Sequence, residues 1–273
     1  MAQTPEYVLQ ELDAAYSLQK EQINFYRENG FVKLKQVFSA KTLTYLNEIV
    51  SAEVKRLNTQ HLPIEQRDTY GKAFLQIMNI WTKSDPVRQL VFSKKLGRIA
   101  AELMGVRGVR LYHDQALFKE AGGGHTPWHA DQYYWPLASD HTVTAWIPLH
   151  AVGLELGPLE FSAKSYQLQE GRTLKISDDS ENIIQKKLTL NDFKKVVEPF
   201  DVGEVSFHSG WIFHRAGANT TTHMRKVMTV IYMDKDMKLK APENDNQQAD
   251  WEAWCPGARI GEVIDTPLNP VIV

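Results

Sequence analysis

Apolar residues in the first part of the chain recur at helical spacing. Residues 20–57 predict a helix that stops at Gly30, a short strand with the sequence FVKLKQV and a second helix. Ser39 is the expected N-cap of the second helix, since serine side chains accept a hydrogen bond from the first turn. The apolar stripe of this second helix consists of Leu43, Leu46, Val50, Val54 and Leu57.

A further helical pattern starts at SDPVRQLV. Asp85 is its expected cap and Pro86 its first helical residue, a position at which proline is favoured. The pattern runs with one interruption to RIAAELMG, where Gly105 ends it. Residues 1–105 are therefore predicted to be mostly helical.

Beyond residue 105 the period changes to two. Apolar and polar residues alternate in the runs VRLYHDQALFK, TVTAWIPLHAV, GEVSFHSGWIFH and RKVMTVIYM, with Gly, Pro, Asn and Ser between them. Short alternating runs of this kind predict an antiparallel sandwich or barrel. The charged segment SDDSENIIQKKLTLNDFKK (177–195) lacks strand character and is predicted to be a solvated loop, with a surface insertion or a lid as the alternative.

Composition narrows the classes of function. At 273 residues the chain fits one large β-rich domain or two small ones, and its 43% hydrophobic content excludes a disordered chain. No apolar run approaches the ~20 residues of a membrane span, and a net charge of −2 favours neither nucleic acid nor a membrane surface. We expect a small-molecule partner. The sequence does not predict the oligomeric state.

Two features predict the compartment. The start of the chain lacks a basic region followed by an apolar stretch, so nothing marks it for secretion. The lone Cys255 excludes an internal disulfide framework and fits a reducing compartment. We expect a cytoplasmic protein.

The segment PWHADQYYW, residues 127–135, places His129 two positions before Asp131. Side chains two apart on an extended chain leave the same face, so the imidazole and the carboxylate can converge on one point. Non-haem Fe(II) oxygenases bind their metal through two histidines and one carboxylate on one face of the coordination octahedron. An H-x-D pair also occurs by chance. A zinc hydrolase would use the same ligand types, but the sequence lacks an H-E-x-x-H pairing.

Three histidines follow in FHSGWIFHRAGANTTTHMRKVMTVIYMD, and we predict that His214 is the third ligand. It closes a strand and precedes a turn, so it can lie at a barrel mouth. His208 lies mid-strand among aromatic residues and is predicted to pack in the core or beside the site, whereas His223 lies in a polar loop.

Arg225 begins an apolar strand. Its guanidinium either extends to solvent or binds an anion in the protein interior. A guanidinium can bind a carboxylate through two parallel hydrogen bonds.

Motifs along nearly the whole chain resemble one family. They are WHADQYYW, TAWIPL, LGPLEFSAKSY, GEVSFHSGWIFHRAGANTT and HMRKVMTVIYM, together with FYRENGFVKLKQVFSAKTLTYLNE and CPGARIGEVIDTPLNPVIV. In order and spacing they resemble the phytanoyl-CoA dioxygenase family of Fe(II)/2-oxoglutarate-dependent oxygenases. The resemblance implies a mainly β fold, with N-terminal helices around a double-stranded β-helix of the jelly-roll or cupin kind. It implies one domain over 1–273: helical support in 1–105, the β-helix in 106–235 and an extension in 236–273.

The family's site residues carry over by position. The resemblance implies that His129, Asp131 and His214 bind iron, and that Arg225 binds the distal carboxylate of 2-oxoglutarate. The resemblance also places Trp146, Gln115 and His113 beside 2-oxoglutarate. Thr144 is two residues before Trp146 on the same strand, so its side chain is on the same face and could add a hydroxyl. Two features depart from the family pattern. Many relatives have a serine where this chain has Ala216, so one hydrogen bond to 2-oxoglutarate must come from elsewhere. The turn GPLEFSAKSY also lacks the Pro-Gly and histidine usual there.

The resemblance implies an enzyme that uses iron, 2-oxoglutarate and dioxygen to hydroxylate an unactivated C–H bond. Asp131 is retained where related halogenases have a small residue, which favours oxygenation. An aromatic rim favours a small polar metabolite of specialised metabolism. Alternatives are an acyl-CoA, phosphonate or amino acid substrate, desaturation or ring closure, and a non-catalytic metabolite-binding protein. Candidate substrate residues, each of which could equally pack in the core, are Phe74, Gln76, Met78, Tyr133, Tyr134 and Trp211.

Overall fold

Two antiparallel sheets form the centre of the computed structural model, which describes residues 3–273. The larger sheet has the order β1-β8-β5-β10-β3-β2 and the smaller one the order β4-β9-β6-β7. The strands are β1 (Phe31–Leu34), β2 (Leu75–Met78), β3 (Val109–Phe118), β4 (Thr126–His129), β5 (Thr142–Pro148), β6 (Leu159–Ser162), β7 (Lys195–Val197), β8 (Val205–Ser209), β9 (His214–Ala216) and β10 (Val227–Asp234).

The sheets face each other, as the stacking of Phe31 in β1 on Phe161 in β6 shows, with ring centroids 4.3 Å apart. Trp146 of β5 and Ala216 of β9 belong to the same apolar cluster. This is the jelly-roll arrangement that the sequence predicts. β1 and β2 form the two edges of the larger sheet, so the N-terminal region contributes strands as well as helices. The division into three segments at residues 105 and 235 stays a prediction.

Helices pack mainly on the outer face of the larger sheet. They are α1 (Glu6–Asp13), α2 (Lys20–Asn29), α3 (Ala40–Leu57), α4 (Thr69–Ala73), α5 (Asp85–Val91), α6 (Lys94–Met104), α7 (Asp178–Leu190) and α8 (Asp245–Trp254). The stripe of α3 lies in the main core, where Leu43, Leu46 and Val50 are at most 1% exposed. Between residues 3 and 273 no helix combines the length and apolarity needed to cross a membrane.

The helix signals of the first hundred residues are largely confirmed. Gly30 and Gly105 end α2 and α6 in the left-handed conformation, at φ 84° and 72°, and Ser39 accepts a hydrogen bond from the backbone N–H of Thr42. The predicted start of α5 is wrong by one residue. Ser84 precedes the helix and Asp85 is its first residue. Pro86 still fits, because the N–H groups of the first helical turn have no partner within the helix.

The prediction of a solvated loop over residues 177–195 is wrong, because most of this segment is helix α7. Ser177 and Ser180 exchange side-chain to backbone hydrogen bonds at its start. Ile184 and Leu188, four residues apart, are fully buried in a cluster with Trp128. The segment is therefore an integral part of the wall behind β4.

Candidate active site

A cavity of about 420 Å³ opens between the two sheets, with α8 along one side. His129 ends β4 and His214 begins β9, and these two residues are directly opposite each other in the strand pair. Asp131 completes a group of three side chains whose nearest ligand atoms lie within 4.8 Å of one another. The structure therefore brings together the three predicted iron ligands, although they are distant in the chain.

Both histidines present the same ring nitrogen to this point. Nδ1 of His129 lies 2.8 Å from the carbonyl oxygen of Pro127, and Nδ1 of His214 lies 3.1 Å from that of Ile212. Because a carbonyl only accepts, each Nδ1 carries the proton and donates it, which leaves Nε2 free to bind a metal. Burial and the neighbouring His129 hold the pKa of His214 well below its usual range, so its ring is neutral as a ligand must be.

Asp131 reaches the same point because the chain between the two ligands is extended. Ala130 has φ −122° and ψ 128°, and the 3₁₀ turn Asp131–Tyr134 starts only after it. Oδ1 of Asp131 lies 3.5 Å from Nε2 of His129 and 3.7 Å from Nε2 of His214. Burial alone would raise the pKa of Asp131, but the histidines around it lower it well below the usual value. Two imidazoles and one carboxylate fit a ferrous ion.

The second oxygen of Asp131 has its own partners. Nε2 of His208 lies 3.3 Å from Oδ2, and the hydroxyl of Thr144 donates to Oδ2 at 3.2 Å. These contacts turn Oδ1 toward His129 and His214. Thr144 lines the cavity, as expected of a residue near 2-oxoglutarate. Its hydroxyl, however, donates to Asp131, a contact that the sequence did not predict.

Arg225 also lines the cavity and is only 1% exposed. One terminal nitrogen donates to the carbonyl of Gly157, whereas its buried Nε has no hydrogen-bond partner. Its guanidinium carbon lies 5.5 Å from the ring centroid of Trp146, which also lines the cavity. Burial lowers the pKa of Arg225 to about 9, because no anion compensates the charge. The structure thus favours the second of the two orientations considered for this arginine, inward and toward an anion.

Lys119 is a second buried basic group beside Arg225, and it is not among the predicted site residues. Its side chain donates to the carbonyls of Gly124 and Gly217 at 2.5 and 2.7 Å. Burial and the charge of Arg225 lower the pKa of Lys119 to about 6. Lys119 does not line the cavity, and its amine supports the turns at Gly124 and Gly217 beside Arg225. The only sequence signal was a lysine at the end of the apolar strand β3.

Thr126 lies directly opposite Ala216 in the pairing of β4 with β9. It lines the cavity and is 4% exposed, and its buried hydroxyl has no hydrogen-bond partner. The Thr126 hydroxyl therefore lies across the strand pair from the position at which the family resemblance implies a serine. Two other residues predicted near 2-oxoglutarate, Gln115 and His113, also line the cavity. Gln115 accepts a hydrogen bond from Gln76.

Four of the six predicted substrate residues line the cavity: Phe74, Gln76, Met78 and Tyr134. The other two, Tyr133 and Trp211, lie outside the lining, and their role stays a prediction. Tyr133 accepts a hydrogen bond from Asn246 through its hydroxyl, because the 3₁₀ turn directs consecutive side chains to different sides. The indole N–H of Trp211 donates to Asp140, and its ring packs against Arg172.

Other lining residues lacked a signal in the sequence. The most informative come from α8, which contributes Asn246, Asp250 and Trp254. Tyr70 and the exposed Lys175 are further polar members of the lining. Finding the α8 residues from the sequence would have required knowing which face of that helix meets the β-sheets.

Comparison with known proteins agrees with this geometry. A family model described as phytanoyl-CoA dioxygenase matches residues 26–227. The chain belongs to the phytanoyl-CoA dioxygenase family. It is a 2-oxoglutarate-dependent non-haem iron dioxygenase, and its cofactor and co-substrates are iron, 2-oxoglutarate and dioxygen.

Relatives of this dioxygenase differ in what they act on. A probable alpha-ketoglutarate-dependent hypophosphite dioxygenase of Stutzerimonas stutzeri is 21% identical over 233 residues, 79% of each chain. The alpha-ketoglutarate-dependent carbocyclase SnoK from nogalamycin biosynthesis is 25% identical, with a TM-score of 0.77 over 94% of this chain and 97% of SnoK. EctD from S. alaskensis, solved with 2-oxoglutarate and 5-hydroxyectoine, shares the fold at 16% identity, with a TM-score of 0.69 over 94% and 90% of the two chains.

Proposed function

We propose that this dioxygenase hydroxylates an unactivated C–H bond of a small polar metabolite in specialised metabolism. The observation on which the proposal rests most is that the His129, Asp131 and His214 group shares one cavity with Arg225. The cavity volume is within the roughly 300–1,000 Å³ of small-molecule sites. A cytoplasmic location is part of the proposal, supported by the lone, buried Cys255.

The protein's own residues have distinct roles in this proposal. His129, Asp131 and His214 hold iron, and His208 and Thr144 orient the carboxylate of Asp131. Iron with 2-oxoglutarate supplies the activation of dioxygen. One buried side chain holds 2-oxoglutarate at its distal end.

That group is Arg225, which lines the cavity. It binds the distal carboxylate, which fixes the distance of the keto acid from the iron ligands. Trp146 lies beside the guanidinium and, being 1% exposed, keeps water from it. Excluding water strengthens each charge interaction with the bound dianion.

Ring closure is a second candidate outcome, favoured by the likeness to the carbocyclase SnoK at 25% identity over nearly the whole chain. Hydroxylation and ring closure begin at the same kind of C–H bond, and the iron ligands do not distinguish them. The product does. Hydroxylation adds one oxygen atom to the substrate, whereas ring closure or desaturation removes two hydrogens, and mass spectrometry separates these results.

The proposal is tested by loading the purified protein with ferrous ion under argon and adding 2-oxoglutarate. We expect the weak visible charge-transfer band of the iron chelate to appear. In air, succinate should form when a screened metabolite is turned over. Absence of the band at saturating iron and 2-oxoglutarate would refute the proposed site.

Thr126→Val tests the hydroxyl opposite Ala216. Valine keeps the shape and removes one hydrogen bond, so we expect the 2-oxoglutarate concentration needed for half-maximal band intensity to rise about 10- to 150-fold, the effect of one hydrogen bond to a charged group. Iron affinity without 2-oxoglutarate should not change. The variant Thr126→Ser is the matched control and should behave like the wild type. Equal 2-oxoglutarate affinity in the valine variant would contradict this role.

A further inference from the structure

Helix α8 presents one polar face to the cavity. Asn246, Asp250 and Trp254 are spaced four residues apart, so they lie on the same side of the helix, and all three line the cavity. The helix is fixed against the turn that contains Asp131, because Gln247 donates to the carbonyl of Tyr133 at 3.0 Å. The position of Asp250 relative to the iron site is therefore set by the fold.

Asp250 has no cationic partner. Across residues 3–273, no lysine, arginine or histidine forms an ion pair with it, and its side-chain hydrogen bonds come from two neutral groups, Tyr112 at 3.1 Å and Trp254. Burial raises the pKa of Asp250 to about 7. A carboxyl group that is removed from bulk water without a compensating charge favours the arrival of a cation.

The other charged groups around the cavity already have counterparts. Asp131 faces the iron position, and Arg225 faces the distal end of 2-oxoglutarate. Arg215 forms ion pairs with Glu160 and Glu181, at 3.0 and 2.6 Å. Lys175 is exposed, so water screens its charge. Asp250 is thus the charged group that the iron and 2-oxoglutarate leave without a partner.

We propose that the substrate of this oxygenase contains a protonated or quaternary amine, and that Asp250 binds it. The inference rests on the proposed function and adds a substrate class to it. Carboxylate oxygens at Asp250 would accept hydrogen bonds from the ammonium group. The rings of Tyr134, Trp135 and Trp254 line the same cavity and offer faces that attract a cation.

The same contacts disfavour other classes. A carboxylate or phosphate at this place would be repelled by Asp250, and a neutral alcohol would leave its charge uncompensated. His113 does not supply the missing cation, because burial lowers its pKa to about 4 and its ring is neutral. Its ring instead packs 5.3 Å from that of Trp254.

The test uses three probes on one carbon skeleton: cyclohexylmethylamine, cyclohexylmethanol and cyclohexanecarboxylate. Each is titrated under argon into the protein loaded with ferrous ion and 2-oxoglutarate, and binding is followed by the change in the visible band. For the wild type we expect the amine to bind at least about tenfold more tightly than the alcohol. The carboxylate should bind more weakly than either.

Asp250→Asn removes the charge and keeps the shape. We expect it to reduce the preference for the amine to within about threefold of the alcohol, while the band of iron with 2-oxoglutarate is unchanged. Glu252→Gln is the matched control, since it removes one charge from the exposed side of the same helix and should keep the wild-type preference. Asp250→Ser replaces the asparagine variant if the latter does not fold.

A wild-type protein that does not prefer the amine would overturn the inference, as would an Asp250→Asn variant that retains the preference. Tighter binding of the carboxylate would also overturn it and would indicate Lys175 as the recognition group. Loss of the iron band in the wild type before any probe is added is a different result. It would refute the proposed function and is distinguishable from failure at Asp250.

Discussion

Asp131→Ala is expected to abolish iron-dependent formation of succinate and to lower iron affinity by more than about 100-fold. Replacing groups that merely support a metal ligand costs about 10- to 100-fold, and Asp131 is itself a proposed ligand. The loss should be large for a second reason. Asp131 supplies the only negative charge among the three ligands, and it orders His129, His214 and His208 around itself.

Iron affinity is measured by anaerobic titration, and His129→Ala and His214→Ala are expected to match Asp131→Ala. Two control variants are expected to have smaller effects. His208→Ala should weaken iron binding by about 10- to 100-fold without abolishing turnover, because His208 contacts Asp131 and not the metal position. His223 is exposed, and its replacement by alanine should have no effect. Loss of iron binding in His208→Ala, together with its survival in His214→Ala, would show that the wrong histidine was chosen.

Much of the fold was predictable because its signals are local. Ser39 and Gly30 define helix ends by hydrogen bonds and backbone angles that involve only neighbouring residues. Helix α7 was missed for a physical reason. It has a hydrophilic sequence with few apolar positions, and only packing against Trp128 reveals that Ile184 and Leu188 form a buried stripe.

The positions of the site residues could be predicted from the sequence only where the backbone is extended. Period two places His129 and Asp131 on one face because Ala130 is extended. The same rule gives no guidance for Tyr133, where the chain has entered a 3₁₀ turn. Asp250 could not be predicted, because α8 buries only Gln247 among its residues and has no apolar stripe to show which face meets the cavity.

Arg225→Gln is expected to raise the KM for 2-oxoglutarate by about 30-fold or more, with a smaller change in kcat at saturating 2-oxoglutarate. Removing one partner of a buried, hydrogen-bonded charge pair costs about 2–5 kcal/mol, and each 1.4 kcal/mol is about tenfold in affinity. The effect should fall on 2-oxoglutarate alone, because Arg225 contacts Gly157 and Trp146 and none of the proposed iron ligands. Steady-state succinate assays over a range of 2-oxoglutarate concentrations measure both constants.

Two further measurements make this prediction specific. Arg225→Lys retains a charge but lacks the planar fork, so its KM should lie between those of the wild type and Arg225→Gln. Thermal unfolding shows whether each variant folds. Iron affinity without 2-oxoglutarate should equal that of the wild type in both variants. If 2-oxoglutarate binds equally well to Arg225→Gln, the buried guanidinium only supports the turn at Gly157, and the distal carboxylate must bind elsewhere in the cavity.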